Sequence, residues 1–186
     1  GGWTRVERNH LLVIGVLFLG YATFSAAFEQ AGSTLNLFAD RNTKNELFGF
    51  AFPSSWFQSV NPLIVIAFAP VFAWMWVRLA RRGAEPGAPF KFGLSLVGVG
   101  AGFLVLVPAA ALSADGSLVG PGWLTVAYLL HTWAELALSP VGLSAMSKLA
   151  PARIGGLVMG VWFLGTSNGN YIGGRVSGFY ESMSLP

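Results

Sequence analysis

The 186-residue sequence contains no cysteine and only two histidines. The absence of cysteine excludes a disulfide framework and any cysteine-ligated metal site. Charged residues make up 10% of the chain, against roughly 25% in soluble globular domains. In their place the chain is 54% hydrophobic and carries seven Trp and 15 Phe residues. This composition predicts an all-α membrane protein, with aromatic side chains at the lipid interface.

Five long apolar segments follow one another, each near or above the roughly 20 residues that span a bilayer as a helix. They cover residues of about 10–38, 56–79, 90–112, 123–145 and 155–180. The loop after the first segment is polar, and a short hairpin or Asx turn is expected around Asn42–Asn45. Glycines at four-residue spacing predict close helix packing in the third and fifth segments. The pairs are Gly98/Gly102, Gly156/Gly160, Gly165/Gly169, Gly169/Gly173 and Gly174/Gly178.

The basic residues are unevenly divided between the two predicted sides of the membrane. Because consecutive segments alternate in direction, eight of the 11 Lys and Arg residues share the side of the N-terminus. An excess of positive charge marks the cytoplasmic side, so we expect a multi-pass protein of the inner membrane with a cytoplasmic N-terminus. The net charge of +3 therefore reports topology and does not indicate nucleic-acid binding.

Polar residues form a stripe at the end of the first segment. Glu29, Ser33, Asn36 and Asp40 are spaced i, i+4, i+7 and i+11, which places them on one face of a helix, with Gln30 adjacent. Polar groups exposed to lipid cost several kcal/mol, so the stripe should face a protein interior or a wet cavity. Ser33 and Asn36 could equally well make ordinary interhelical hydrogen bonds. An ionisable group within a span favours a functional role for Glu29.

A second polar face lies in the fourth segment. His131, Glu135, Ser139 and Gly142 are spaced i, i+4, i+8 and i+11, and Glu135 is near mid-span, where secondary transporters bind their substrates. Pro140 is expected to break or kink the helix just past Glu135. The other histidine lies on the opposite side of the predicted membrane, so we expect no metal site.

The remaining polar candidates lie in the second and fifth segments. Gln58 and Asn61 precede Pro62, and Trp162 lies in mid-span, where it is either core or the wall of a cavity. The residues alone favour core for Trp162. Two carboxylates in mid-span favour proton-coupled transport, because a partly desolvated carboxyl group can take up and release a proton near neutral pH. Composition and spacing do not name the substrate.

Four longer stretches add a family resemblance. They are FEQAGSTLNLFADRNT (28–43), SSWFQSVNPLIVIAFAPVFAWMW (54–76), HTWAELALSPVGLSAMSKLAPAR (131–153) and MGVWFLGTSNGNYIGG (159–174). In order and spacing they resemble the proton-dependent oligopeptide transporter family of the major facilitator superfamily. The resemblance implies the C-terminal helix bundle of such a transporter. The five segments would be its seventh to eleventh helices, with the twelfth helix and the N-terminal bundle absent.

The resemblance also implies roles at a substrate site. Glu135 would meet the amino terminus of a peptide with Ser139 beside it, Asn61 would contact the peptide backbone, and Trp162 would form a wall of the pocket. The secondary candidates are Gln30, Ser33, Asn36, Gln58 and His131.

Proton coupling and gating fall to the first segment in this resemblance. Glu29 would pair with an arginine of the absent first helix, and Asp40 resembles an extracellular gate residue. The implied function is proton-coupled symport of di- and tripeptides by alternating access, with no enzymatic activity. The expected partners are peptides, protons, membrane lipid and the N-terminal bundle. Neither a nucleic acid nor any cofactor beyond the coupling proton is expected.

Two alternatives remain open from the sequence. One is a related transporter of nitrate or another non-peptide solute. The other is a non-transporting membrane receptor or assembly subunit.

Overall fold

The computed structural model describes residues 2–182, apart from the side chain of Glu181. Nearly all of this range is helical, as the sequence predicts. The helices are α1 (Arg5–Phe28), α2 (Thr34–Arg41), α3 (Val60–Arg81), α4 (Ala88–Leu112), α5 (Gly122–Leu149) and α6 (Gly155–Ser182). Three 3₁₀ turns cover Glu29–Gly32, Ser54–Ser59 and Ala152–Ile154, and two short strands cover β1 (Glu46–Leu47) and β2 (Phe50–Ala51).

Within the described residues, three stretches are each long and apolar enough to cross a membrane. These are Arg5–Arg41, Ser54–Arg81 and Ala88–Leu112. Helices α5 and α6 pass the same test only as a pair, and the chain changes direction by 115° between them. Each has 28 residues, or about 42 Å of helix, which exceeds a hydrocarbon core of about 30 Å.

The first predicted segment is not one continuous α-helix. Helix α1 ends at Phe28, a 3₁₀ turn follows, and Ser33 leaves the helical region with φ −126° and ψ −92° before α2 begins. The side chain of Gln30 donates to the carbonyl oxygen of Ala26 at 3.0 Å, and the hydroxyl of Ser33 donates to the carbonyl oxygen of Glu29 at 3.3 Å. Polar side chains that bond to nearby backbone carbonyls compete with the α-helical pattern. The single helical face proposed for Glu29, Ser33, Asn36 and Asp40 is therefore wrong.

Two other local predictions also need correction. Helix α5 runs through Pro140 to Leu149, so the predicted break just past Glu135 is wrong, while a kink there stays a prediction. The hairpin of the first polar loop lies at Glu46–Ala51, after the predicted position at Asn42–Asn45. Its two turn residues, Phe48 and Gly49, have φ angles of +50° and +83°. Positive φ at both central positions suits a tight two-residue hairpin turn, so the turn is set by Gly49 and not by the asparagines.

The helices pack mainly as two pairs, α4 with α5 and α1 with α6. Glycines make both close approaches possible. A Cβ at Gly102 would clash with the ring of His131 on α5, and a Cβ at Gly173 would lie 3.0 Å from the carbonyl oxygen of Ala26 on α1. The predicted packing of the third and fifth segments is thus confirmed for these glycines. It is not found at Gly156/Gly160 and Gly174/Gly178, where an added Cβ would meet no other helix within 4 Å among the described residues.

Charged residues join the helix ends on the side of the N-terminus. Lys91 is buried in the first turn of α4, where its ammonium lies 2.7 Å from Glu85 and 4.3 Å from the ring centre of Trp76. This hydrogen bond holds the pKa of the Glu85 carboxyl below its ordinary value. Arg153, before α6, lies 3.4 Å from Glu7 and 3.6 Å from the ring centre of Trp3. The first set of contacts holds the α3–α4 loop, and the second joins the N-terminal ends of α1 and α6.

Candidate functional site

The central polar contact joins helices α3 and α5. Nδ2 of Asn61 donates to Oε2 of Glu135 at 3.0 Å and to Oγ1 of Thr132 at 3.0 Å. Thr132 in turn donates to the carbonyl oxygen of Tyr128 at 2.7 Å, one turn earlier in α5. The Asn61 amide is neutral, and no ion pair involves Glu135 within the described residues. The half-buried carboxylate of Glu135 therefore has a fixed position and an unmatched negative charge.

A cavity of about 160 Å³ lies beside this contact. Its lining combines polar side chains of α5, of α3 and of the 3₁₀ turn before α3 with residues around the end of α1: Phe28, Ala31, Gly32, Gln58, Asn61, Tyr128 and His131. The hydroxyl of Tyr128 donates to the carbonyl oxygen of Ala31 at 2.7 Å. This bond ties the turn to α5, so the break in the first segment forms one side of the cavity.

His131 lines the same cavity but is directed mainly into the protein core. It is 1% exposed, its Nε2 lies 3.1 Å from the carbonyl oxygen of Val99 on α4, and its ring packs against Phe103 at 4.8 Å between centres. A carbonyl oxygen only accepts, so Nε2 carries the hydrogen and donates to it. His131 and Glu135 thus contact different helices, although their spacing predicted a common face. No cluster of three potential metal ligands occurs among the described residues.

Glu29 lies apart from Glu135, on the exposed side of the α1–α6 pair. It makes no ion pair with another described residue. The neighbouring Gln30 is buried and donates to the carbonyl oxygen of Gly173 on α6 at 3.0 Å, while its own carbonyl accepts a bond from Thr34. Gln30 is therefore a structural link between the two helices, whereas the neighbouring Glu29 is exposed.

The other predicted residues of the first segment do not gather at one site. Asp40 is exposed and accepts a hydrogen bond from Ser54 at 3.3 Å, at the start of the turn that precedes α3. Oδ1 of Asn36 is buried and has no hydrogen-bond partner among the described residues. In α5, Ser139 is exposed one turn after Glu135. Its position beside Glu135 as a ligand contact stays a prediction.

Trp162 is part of the core in this structure. It is 4% exposed, stacks on Tyr21 with ring centres 3.8 Å apart, and packs edge-on against Phe92. Its far edge lies over Gly142, where a Cβ would be 2.7 Å from Cζ2 of Trp162. This placement agrees with the interpretation drawn from the residues alone. A role as a pocket wall stays a prediction based on the family resemblance.

A larger groove of about 700 Å³ lies between the hairpin and the first turns of α3 and α5. Its lining is mainly aromatic and aliphatic and includes Phe50, Phe52, Trp56 and Leu63, with no ionisable side chain. The smaller cavity beside Glu135 is the better candidate site, because a site for a polar solute needs groups that fix its orientation.

Two residues of the site were missed at the level of the sequence. Thr132 and Tyr128 complete the hydrogen-bonded chain from Asn61, and Tyr128 also holds the turn after α1. The signal was present, since Tyr128, Thr132 and Glu135 follow the helical spacing i, i+4, i+7. Threonine and tyrosine are common in membrane helices, so their spacing alone did not distinguish them from ordinary packing residues.

Comparison with known proteins decides the family. The sequence pattern of the POT family matches residues 4–185. The chain belongs to the POT family. The resemblance to the proton-dependent oligopeptide transporter family is therefore confirmed. The fold is that of a helix bundle of these major facilitator transporters.

Several POT relatives are similar over most of this chain. The peptide transporter YePEPT of Yersinia enterocolitica subsp. palearctica serotype O:3 (strain YE-P4) is 42% identical over 184 residues, which are 98% of this chain and 36% of the relative. Dipeptide and tripeptide permease A of Escherichia coli (strain K12) is 33% identical over 179 residues, 96% of this chain and 35% of the permease. The chain thus spans about a third of the length of the POT relatives it matches.

Solved POT structures have the same fold. A mutant of a peptide transporter POT in complex with alafosfalin is 42% identical and superposes with a TM-score of 0.87, covering 95% of this chain and 36% of that one. A POT family transporter in complex with 5-aminolevulinic acid is 27% identical with a TM-score of 0.87, covering 98% of this chain and 38% of that one. The helix arrangement described above is therefore that of the POT family.

Proposed function

We propose that this chain is the C-terminal bundle of a proton-coupled symporter of di- and tripeptides. Its five long helices would be the seventh to eleventh of the whole transporter, and the N-terminal bundle would complete the site. The protein would lie in the cytoplasmic membrane with the N-terminus of this chain in the cytoplasm, as the excess of Lys and Arg on that side favours. Peptides as the substrate class are supported by two relatives, which are a peptide transporter and a dipeptide and tripeptide permease.

The observation that carries the proposal is the unmatched carboxylate of Glu135. Its position is fixed by a neutral amide, and it lies beside a cavity lined by Asn61 and Gln58. A free peptide amino terminus is a primary ammonium, which forms strong charge-assisted hydrogen bonds with a carboxylate. Asn61, already bonded to Glu135, would contact the peptide, and Ser139 would lie next to its amino end.

We assign proton coupling to Glu29, separately from substrate binding. Its carboxylate is exposed on this bundle, so it can meet a cation of the N-terminal bundle. Protonation of Glu29 would release that cation. It would also favour the access state, inward-open or outward-open, that binds the proton more tightly, because a ligand shifts an equilibrium towards the state for which it has the higher affinity. Gln30 holds the turn that carries Glu29 against α6, so a change at Glu29 acts on the α1–α6 pair. Asp40, at the far end of α2, would act as a gate residue.

The Glu29→Gln variant of the full-length protein is expected to lose accumulation of dipeptide but retain exchange. Glutamine keeps the size of the side chain but cannot release a proton, so the proton gradient no longer drives uptake. Proteoliposomes with an imposed proton gradient measure accumulation, and counterflow without a gradient measures exchange. Normal counterflow shows that the variant is folded and binds substrate. Accumulation of dipeptide against its gradient by this variant would contradict the coupling role.

A second candidate is a POT transporter of a non-peptide solute that carries a primary ammonium. The relative bound to 5-aminolevulinic acid favours this candidate, since that ligand has an amine and a carboxylate but no peptide bond. Nitrate fits less well, because an anion would be repelled by Glu135. A non-transporting receptor would bind such ligands without uptake.

Competition for uptake separates these candidates. Di- and tripeptides are expected to inhibit uptake of a labelled dipeptide by the full-length protein, whereas nitrate is not. Free amino acids serve as controls, because they carry the same charged groups at a shorter separation. Uptake of a labelled amino-acid-like solute that peptides do not inhibit, with no uptake of the labelled dipeptide, would favour the second candidate. Binding without any uptake in proteoliposomes would favour a receptor.

A further inference from the structure

The orientation of the Asn61 side-chain amide depends on Thr132, a buried residue of α5. Oγ1 of Thr132 donates its single hydrogen to the carbonyl oxygen of Tyr128 at 2.7 Å. A hydroxyl has one hydrogen and two lone pairs, so towards Asn61 it can only accept. The atom of Asn61 that lies 3.0 Å from Thr132 must therefore be the nitrogen, which agrees with the observed bond.

The same nitrogen also serves Glu135. Nδ2 of Asn61 lies 3.0 Å from Oε2 of the carboxylate, so its two hydrogens are used by Thr132 and Glu135. The carbonyl oxygen Oδ1 is then the remaining polar atom of the side chain. This oxygen accepts no hydrogen bond from any described residue. It is also not one of the fully buried atoms without a partner, so a ligand can reach it. Asn61 lines the cavity and is bonded to Glu135, so the free carbonyl of Asn61 and the Glu135 carboxylate are neighbouring acceptors.

We propose that Thr132 is a positioning residue that makes the site specific for a primary ammonium. By accepting from Nδ2 it keeps the carbonyl of Asn61, and not its amino group, available to the ligand. A primary ammonium has three donors and no acceptor, which suits two neighbouring acceptors. This inference rests on the proposed binding of a peptide amino terminus at Glu135. It adds an explanation of why a primary ammonium would bind more tightly than an N-methylated one.

Glu135 alone does not secure the orientation of Asn61. Once a ligand ammonium or a proton neutralises the carboxylate, its attraction for the amide hydrogens weakens, and the amide can rotate. Thr132 is uncharged and lies next to Tyr128 in the same helix, so its preference for the nitrogen persists in the loaded state. A site built to accept several hydrogen bonds discriminates against analogues that lack donors, because acceptors that the bound ligand covers are left unpaired.

Amine selectivity tests this role in the full-length protein. We compare inhibition of labelled dipeptide uptake by Ala-Ala and by N,N-dimethyl-Ala-Ala, whose ammonium has one donor left. Thr132→Val removes the hydroxyl at nearly constant volume, and Thr132→Ser retains it. The preference for Ala-Ala over the dimethyl analogue is expected to fall about tenfold in Thr132→Val, as expected for the loss of one bond to a charged group. Thr132→Ser is expected to retain the wild-type preference.

The outcomes separate this inference from the proposed function. An unchanged preference in folded Thr132→Val, with dipeptide binding lost in Glu135→Gln, overturns the role of Thr132 and leaves the proposed function intact. Normal dipeptide binding by Glu135→Gln overturns the proposed function itself. Thr132→Ala is measured in parallel, because it also lacks the hydroxyl but cannot overpack the helix contact. Thermal melting selects the folded variants, and an unchanged preference in either one contradicts the proposal.

Discussion

Glu135→Gln is expected to raise the KM for dipeptide uptake by the full-length protein about 10- to 100-fold. A hydrogen bond to a charged group contributes about 1.5–3 kcal/mol, and each 1.4 kcal/mol corresponds to about a tenfold change in affinity. Glutamine has nearly the same shape as glutamate, and its side-chain oxygen can still accept the bond from Asn61. The variant therefore removes the charge and leaves the contact between α3 and α5 in place.

Initial rates of labelled dipeptide uptake in proteoliposomes give KM and kcat separately for this variant. Glu46→Gln is the matched control, since Glu46 lies in the hairpin and pairs with the exposed Lys44. The control should retain the wild-type KM. Equal thermal stability of the two variants would show that the effect is local. A wild-type KM in Glu135→Gln would mean that the ammonium is bound elsewhere.

Gly169→Ala is expected to lower the melting temperature of the full-length protein by several degrees. A Cβ at this position would lie 2.8 Å from the carbonyl oxygen of Ala22 and 2.9 Å from the backbone nitrogen of Ala26, both on α1. A side chain can rotate away from an added methyl group, but these are backbone atoms, so the two helices must separate. Overpacking of this kind typically costs about 1–3 kcal/mol.

The same substitution should also disturb transport, because the α1–α6 contact includes the bond from Gln30 to Gly173 beside Glu29. Gly93→Ala is the control, since a Cβ added at Gly93 in α4 would meet no other helix within 4 Å in the part of the chain that the structure describes. Alanine favours a helix over glycine, so this control should be neutral or slightly more stable. Fluorescence-detected melting in detergent compares the two. Equal melting temperatures for both variants would show that α1 and α6 do not approach as closely as described.

The sequence by itself determined the helices and the types of residue at the site. In lipid every backbone polar group must be satisfied within its own helix, so the length of an apolar run is enough to predict a span. The last four segments therefore each correspond closely to one helix, and α4, predicted at 90–112, is observed at Ala88–Leu112. Glu135 and Asn61 were also identified from their positions in the segments. The roles assigned to them came from the family resemblance and remain proposals.

Only the tertiary structure decided which polar groups meet. Asn61 and Glu135 are separated by 74 positions in the chain, and Tyr21 and Trp162 lie on different helices that meet face to face. Helical spacing places a residue on a face but does not say which helix that face contacts. For this reason His131 and Glu135, predicted on one face, contact α4 and α3 respectively.

The break after α1 was hidden for a related reason. Gln30, Ser33 and Thr34 are compatible with a continuous helix when only local spacing is considered. The turn is held by Gln30 bonding to Gly173 on α6 and by Tyr128 on α5 bonding to Ala31. These contacts span 143 and 97 positions of the chain. Long-range bonds of this kind replace the local helical pattern, and residues beside this turn, Phe28, Ala31 and Gly32, form one side of the cavity.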